Sequence, residues 1–199
     1  MAMPPEDLQP ELDLVRRMKG GDESAFVHLY RRHRDAVFRL ALMYSGSHAT
    51  AADVTQDAFI HFIDHATQYD ATRGSVGAWL CGIARNLARK AAGWREEATD
   101  PADLADDTAP HASHIDHDTP LERVLRGEAA EQVRRAIASL APHYRDVLIL
   151  CELSELSYAE AANVCGIDIG TVRSRLSRAR ARLAQSLAPY HEGAKEAVT

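Results

Sequence analysis

The sequence predicts an all-α fold: two small helical bundles joined by a flexible acidic linker. Three observations predict this. Apolar residues recur at steps of three and four on both sides of residues 96–120, the spacing of helices with one buried face. No stretch shows the apolar–polar alternation of a half-buried strand. Residues 96–120, EEATDPADLADDTAPHASHIDHDTP, carry eight acids, three prolines and no Lys or Arg, so they repel themselves and offer little to a core. The expected organisation is an N-terminal extension over 1–19, a first bundle over 20–95, the linker over 96–120, a second bundle over 121–188 and a C-terminal tail over 189–199.

In the first bundle, Phe26, Leu29, Tyr30, Val37, Leu40 and Ala41 mark a helix over about 23–45, interrupted by Gly46 and Ser47. Thr50 and Asp53 open a second helix that runs to about Thr67, with Val54, Ala58, Phe59 and Phe62 apolar. A polar loop, Gln68 to Val76, leads to a third helix from about Gly77 to Trp94 that buries Trp79, Leu80, Ile83, Ala84 and Leu87. In the second bundle, Leu121, Val124, Leu125, Val133, Ile137 and Leu140 form one helix. Pro142 starts another, with Tyr144, Val147, Leu148 and Cys151 inward.

Residues 157–183, SYAEAANVCGIDIGTVRSRLSRARARL, complete that bundle. Ser157 and Glu160 have the spacing of a capping box. Gly166 stands where the chain must accept a positive φ, and Asp168 offers an N-cap to the next helix. Ile169, Val172, Leu176, Ala179 and Leu183 form its buried stripe. The opposite face carries Ser174, Ser177 and Ala181. Arg175, Arg178 and Arg182 flank it on one side, with Arg173 and Arg180 on the other. Small residues let a helix approach base edges while arginines reach phosphates or guanines, which is the chemistry of a DNA-reading helix-turn-helix.

The net charge of −6 over 199 residues does not oppose this. Taking the eight acids of the linker from the total of 29 leaves 21 acids against 23 basic residues, a net of +2. No apolar run is long enough for a bilayer, and residues 1–17 lack a basic head followed by an apolar stretch. A cytoplasmic protein with no membrane insertion is expected. Cys81, Cys151 and Cys165 are an odd, scattered set that suits reduced thiols, with redox sensing left open. His111, His114 and His117, with Asp116 and Asp118, have spacing that suits a metal, but a flexible tether holds no ligand in place, so no metal or cofactor is expected.

Three segments of the first bundle carry further chemistry. Asp53, Gln56 and Asp57 share one polar helix face. The loop Tyr69-Asp70-Ala71-Thr72-Arg73-Gly74-Ser75 is turn-rich and suits an unstacked base. The helix after it has a basic side of Arg85, Arg89 and Lys90, and Asn86 offers a base both donor and acceptor.

Together, DVTQDAFIHF, GAWLCGIARNLARK and YAEAANVCGIDIGTVRSRLSRARARL resemble, in order, the bacterial RNA polymerase sigma factors of the extracytoplasmic-function (ECF) group of the sigma-70 family. The resemblance covers about residues 20–95 and 121–188. It implies that Asp53, Gln56, Asp57 and Phe59 meet the β′ clamp helices of the polymerase core. Tyr69, Arg73, Ser75 and Asn86 would take the flipped base of the −10 element, with Arg89 and Lys90 near the promoter. Arg173, Ser174, Arg175, Ser177, Arg178 and Arg182 would meet the −35 element, with Gly170 and Thr171 near its phosphates. The polymerase β flap and an anti-sigma factor are implied as further partners.

The chain departs from the family at Val76-Gly77, where an aromatic and a basic residue are common, and at Glu96-Glu97, where a basic cluster is common. Two other readings stay open: a sigma-like decoy for an anti-sigma factor, and a plain helix-turn-helix regulator, which leaves the first bundle unassigned. No acid/base pair, nucleophile or phosphate-cradling loop suggests an enzyme.

Overall fold

The computed structural model describes residues 5–93 and 122–196. Within them the chain forms α1 (Pro5–Lys19), α2 (Glu23–Ser45), α3 (His48–Asp64), α4 (Val76–Ala91), α5 (Glu122–Ala138), α6 (Pro142–Leu148), α7 (Tyr158–Cys165) and α8 (Ile169–Glu196), with no strand among the described residues. Trp94, Leu121, the acidic segment and its histidines lie outside them.

Each boundary in the first half has a local cause. The Asp22 carboxylate accepts from the amides of Ser24 and Ala25 at the start of α2, and Gly46 ends that helix at φ 66°. Ser47 caps α3 through the Thr50 amide, so the helix begins two residues before Thr50, with the serine as its cap. It ends at Asp64 and a 3₁₀ turn over Ala66–Gln68 follows. Ser75 caps α4 through the Ala78 amide, 3.2 Å away.

Helices α2, α3 and α4 pack around Leu29, Leu40, Phe62, Val76 and Leu80, all fully buried. Helix α1 lies against α2 and adds buried Val15 to this core. Its Glu11 is equally buried, with one carboxylate oxygen 2.7 Å from His33 Nε2 and 3.2 Å from Arg32 Nε.

In the second half, Pro142 occupies the first turn of α6, where its missing N–H costs nothing. The helix widens into a π turn over Ile149–Leu153 that buries Ile149 and Leu150. The capping box at Ser157 and Glu160 forms as read, and Gly166 ends α7 at φ 67°. Val172, Leu176 and Ala179 are buried, but Ile169 is 42% exposed. It is the first residue of α8, ahead of the turn that meets the core. Val133 is likewise 38% exposed, and Ala136 takes the inward position beside Ile137 and Leu140.

The two halves dock on each other. Helix α4 packs against α7, and α2 packs against both α5 and the π turn. The buried apolar cluster therefore runs without a break from Val15 to Ala179. A Cβ placed on Gly82 would lie 3.6 and 3.7 Å from the Val164 methyls, so the two helices meet in van der Waals contact there.

Candidate functional site

The polar face of α3 is presented as read. Asp53, Gln56 and Asp57 are exposed on neighbouring turns. Phe59 does not share that face. It is 2% exposed, with its ring 4.8 Å from Tyr30 and 6.3 Å from Phe26. A residue two positions after Asp57 lies about 200° around the helix, which turns it into the core. The apolar groups that stand out on α3 are Ile60 and Ile63, 48% and 45% exposed. The signal was in the run Ala58-Phe59-Ile60, since one helix cannot bury all three positions against a single core.

The loop after α3 is held by its own side chains. Asp70 accepts from the amide and hydroxyl of Thr72, at 2.9 and 2.7 Å, and these bonds hold its carboxyl below the usual aspartate value. The Tyr69 hydroxyl donates to the Gly74 carbonyl at 3.1 Å. The Tyr69 ring tilts against Trp79 at 5.5 Å, and Trp79 meets Phe62 edge-on at 5.3 Å. Burial pushes the Tyr69 phenol up to about 12, so it stays a neutral donor at physiological pH. A cleft of about 290 Å³ opens here, lined by Tyr69, Arg73, Ser75 and Asn86, and on its far wall by Glu160 and Asn163 of α7.

The basic side of α4 is only partly a surface. Arg89 is half-buried and Lys90 exposed, but Arg85 is 8% exposed and faces Asp146 of α6. Arg85 Nε donates to Asp146 Oδ2 at 3.0 Å, and its Nη2 donates to the same oxygen. Arg89 Nη1 reaches that oxygen at 3.3 Å, and the Tyr44 hydroxyl donates to Oδ1 at 2.7 Å. Arg85 also donates to the side-chain oxygen of Asn86 at 3.1 Å. Burial works against the Arg85 charge, and Asp146 more than offsets it, so the guanidinium is held above its ordinary pKa. Burial raises the Tyr44 phenol well above its usual value, aided by the Asp146 charge.

Helix α8 presents its face of small residues and arginines outward. Gly170, Arg173, Ser174, Ser177, Arg178 and Arg182 are exposed, and Thr171 and Arg175 partly so. Arg182 lies over the Tyr144 ring at 4.8 Å, a cation–π contact, and Arg180 pairs with Glu152. Burial lifts the thiols of Cys81 to about 12 and of Cys151 and Cys165 to about 11, and no disulfide joins them. Among the described residues no three His, Cys, Asp or Glu side chains are placed to hold a metal ion, and no helix is long and apolar enough to cross a membrane.

Comparison with known proteins assigns both halves. The Sigma-70 region 2 family matches residues 29–96, and the Sigma-70 region 4 family matches residues 130–183. The chain is 34% identical over 178 residues to the ECF RNA polymerase sigma factor SigE of Mycolicibacterium smegmatis, covering 85% of this chain but 65% of that relative, which is therefore substantially longer. It is 31% identical to the ECF RNA polymerase sigma factor SigM of Mycobacterium tuberculosis, over 92% of this chain and 87% of the relative. Its fold is similar to that of the sigma factor RpoE of Bartonella quintana, solved with the anti-sigma factor NepR (TM-score 0.59, 27% identity, 82% of this chain and 96% of that one). The region 2 match accounts for the half that a plain helix-turn-helix regulator leaves unassigned, and with the two motif sets in family order the chain belongs to the ECF RNA polymerase sigma factors of the sigma-70 family.

Proposed function

We propose that this chain is a non-enzymatic promoter-specificity subunit that binds RNA polymerase core and directs initiation by reading a −10 and a −35 element. One observation carries the reading most. The outward face of α8 sets the small residues Gly170, Ser174 and Ser177 between exposed arginines, on a helix whose other side is anchored by Val172, Leu176 and Ala179. A helix so built can sink into a major groove while Arg173, Arg175, Arg178 and Arg182 reach bases and phosphates.

The other roles follow by region. Asp53, Gln56 and Asp57, with Ile60 beside them, form the face for the β′ clamp helices, and Phe59 supports that face from beneath. The Tyr69–Ser75 loop and Asn86 form the pocket for an unstacked −10 base. Such a pocket needs no catalytic group, only a preference for the flipped base that repays a few kcal/mol of unstacking. Arg89 and Lys90 would approach the promoter backbone. Second-half contacts to the β flap, a cytoplasmic location and regulation by an anti-sigma factor belong to the same reading. The NepR complex of the Bartonella relative supports the last of these.

Transcription of a genomic library by polymerase core with and without the chain tests the proposal. Added chain should create new start sites that share two sequence elements. If no start site depends on it, the proposal fails.

A further inference from the structure

Helix α3 ends on two histidines one turn apart. His61 is exposed, and His65, the residue that follows the helix, is half-buried. Their rings stack with centroids 3.9 Å apart and planes 23° from parallel. Side chains four positions apart share one helix face, the spacing at which a helix presents two histidines to a single zinc ion. The promoter reading uses neither ring.

Three features suit this pair to a metal ion. The first is the tautomer. His65 Nδ1 lies 3.0 Å from the His61 carbonyl, and a carbonyl only accepts, so Nδ1 carries the proton. The neutral ring then keeps its lone pair on Nε2, and the backbone bond orients it as outer partners orient metal-bound histidines. The second is distance. Two nitrogens each about 2.0–2.1 Å from one ion lie roughly 3 Å from each other. Rings already stacked at 3.9 Å reach that by a small rotation of the exposed His61. The third is charge. The negative end of the α3 dipole favours a cation here, with Asp57 one turn before His61 and Asp64 beside His65.

His28 lacks such a partner. Its Nδ1 makes the same bond to the carbonyl four residues back, at 2.7 Å, but that residue is Ser24, and Arg32 stands one turn on. Imidazole nitrogen favours Zn²⁺, Cu²⁺ and Ni²⁺, whereas Mg²⁺ and Ca²⁺ take oxygen. Two protein ligands are fewer than a closed structural site uses, so water completes the sphere and can exchange. His61 also lines the cleft that holds Tyr69 and Asn86, so an ion held here borders that cleft.

We propose that His61 and His65 form a chelating site for a divalent transition-metal ion of the copper, nickel and zinc class. The site needs nothing from the promoter reading.

Calorimetric titration of Ni²⁺ into the full chain tests it, with His111, His114 and His117 replaced by Ala so that this second group of close-spaced histidines does not compete. Removing an outer partner of a ligand already costs about tenfold or more, so His61→Ala and His65→Ala should each weaken Ni²⁺ binding by at least that factor. The double variant should lose no more than either single one, because a chelate needs both rings. Additive losses would mean two independent histidines and would overturn the site. A parent chain that binds no Ni²⁺, or a His61→Ala chain that binds it equally well, overturns it too. Excess Mg²⁺ should not displace the ion, and displacement would count against nitrogen ligands. Metal-free melts check the fold. His61→Ala removes an exposed ring and should melt like the parent, so it decides alone if His65→Ala melts lower. Paramagnetic Ni²⁺ should broaden the ring-proton resonances of His61 and His65 first, and broadening centred on any other histidine would move the site elsewhere.

Discussion

Arg85 and Asp146 lie 61 residues apart in sequence and meet across the two halves, with Arg85 Nε 3.0 Å from Asp146 Oδ2. Both are buried, and the same Asp146 oxygen lies 3.3 Å from Arg89 Nη1. Removing Asp146 leaves the buried Arg85 guanidinium without its carboxylate. Asp146→Ala should cost about 3 kcal/mol of the coupling between the halves. In a calorimetric melt one cooperative transition should then divide into two. A single transition at the native temperature would mean that the pair couples nothing.

The Glu160 contact should be pH-dependent. Burial raises its pKa, but the hydrogen bonds from Ser75 and Ser157 outweigh that, so the folded carboxyl sits below the ordinary glutamate value. A depressed folded pKa gives stability that is full above the unfolded value and lost as pH falls through the folded one. Small-angle scattering should show the chain expanding as pH drops below the usual carboxylate range. In Glu160→Gln the dimensions should not change with pH on account of this group.

On α8, Arg178→Ala should weaken −35-dependent initiation by about 1–3 kcal/mol if the contact is to a base. If it is to a phosphate, the salt slope of binding should fall by about one. Arg182→Ala should cost less specificity, since its guanidinium is partly occupied by Tyr144. Footprints at two salt concentrations separate the cases, and wild-type protection by both variants would remove α8 from the interface.

Asp57 and Phe59 are two residues apart and should behave differently. Asp57→Ala should reduce binding to polymerase core with little change in melting temperature. Phe59→Ala leaves a cavity beneath Tyr30 and Phe26 and should cost about 3–5 kcal/mol of stability. Native-gel shifts with core, read beside thermal melts, check both. A Phe59→Ala chain that melts like the wild type would return Phe59 to the surface.

The three thiols should be slow. Burial holds them at about 11 to 12, so little thiolate is present near neutrality, and thiolate is the reactive form. Iodoacetamide at neutral pH should label the native chain much more slowly than the urea-unfolded chain. Equal rates would point to a reactive cysteine and revive redox sensing.

Much of the architecture was legible because it rests on local rules. The capping box at Ser157 and Glu160, the left-handed Gly46 and Gly166, and the span of α2 depend on residues within a few positions of each other. The differences lie where a helix face has to be chosen. The spacing marks Phe59 as apolar, as the structure has it, and only the family resemblance sets it beside Asp57 in a contact. Ile169 and Val133 are expected in the core and are exposed, and Arg85 is expected on a basic side and is buried. Periodicity locates a stripe on a helix but not what meets it from elsewhere.

The sequence by itself determined the helices from α2 onward, the capping box of α7, the helix-turn-helix and the family. Only the tertiary structure decided that Glu160 serves two helices at once, that Asp146 answers Arg85, and that the Tyr69–Ser75 loop has α7 as a wall. The reason is physical. Caps and amphipathic stripes are set by hydrogen bonds and side-chain spacing within one helix, whereas a counter-charge 61 residues away or a capping carboxylate shared across 85 residues exists only once the two halves have docked.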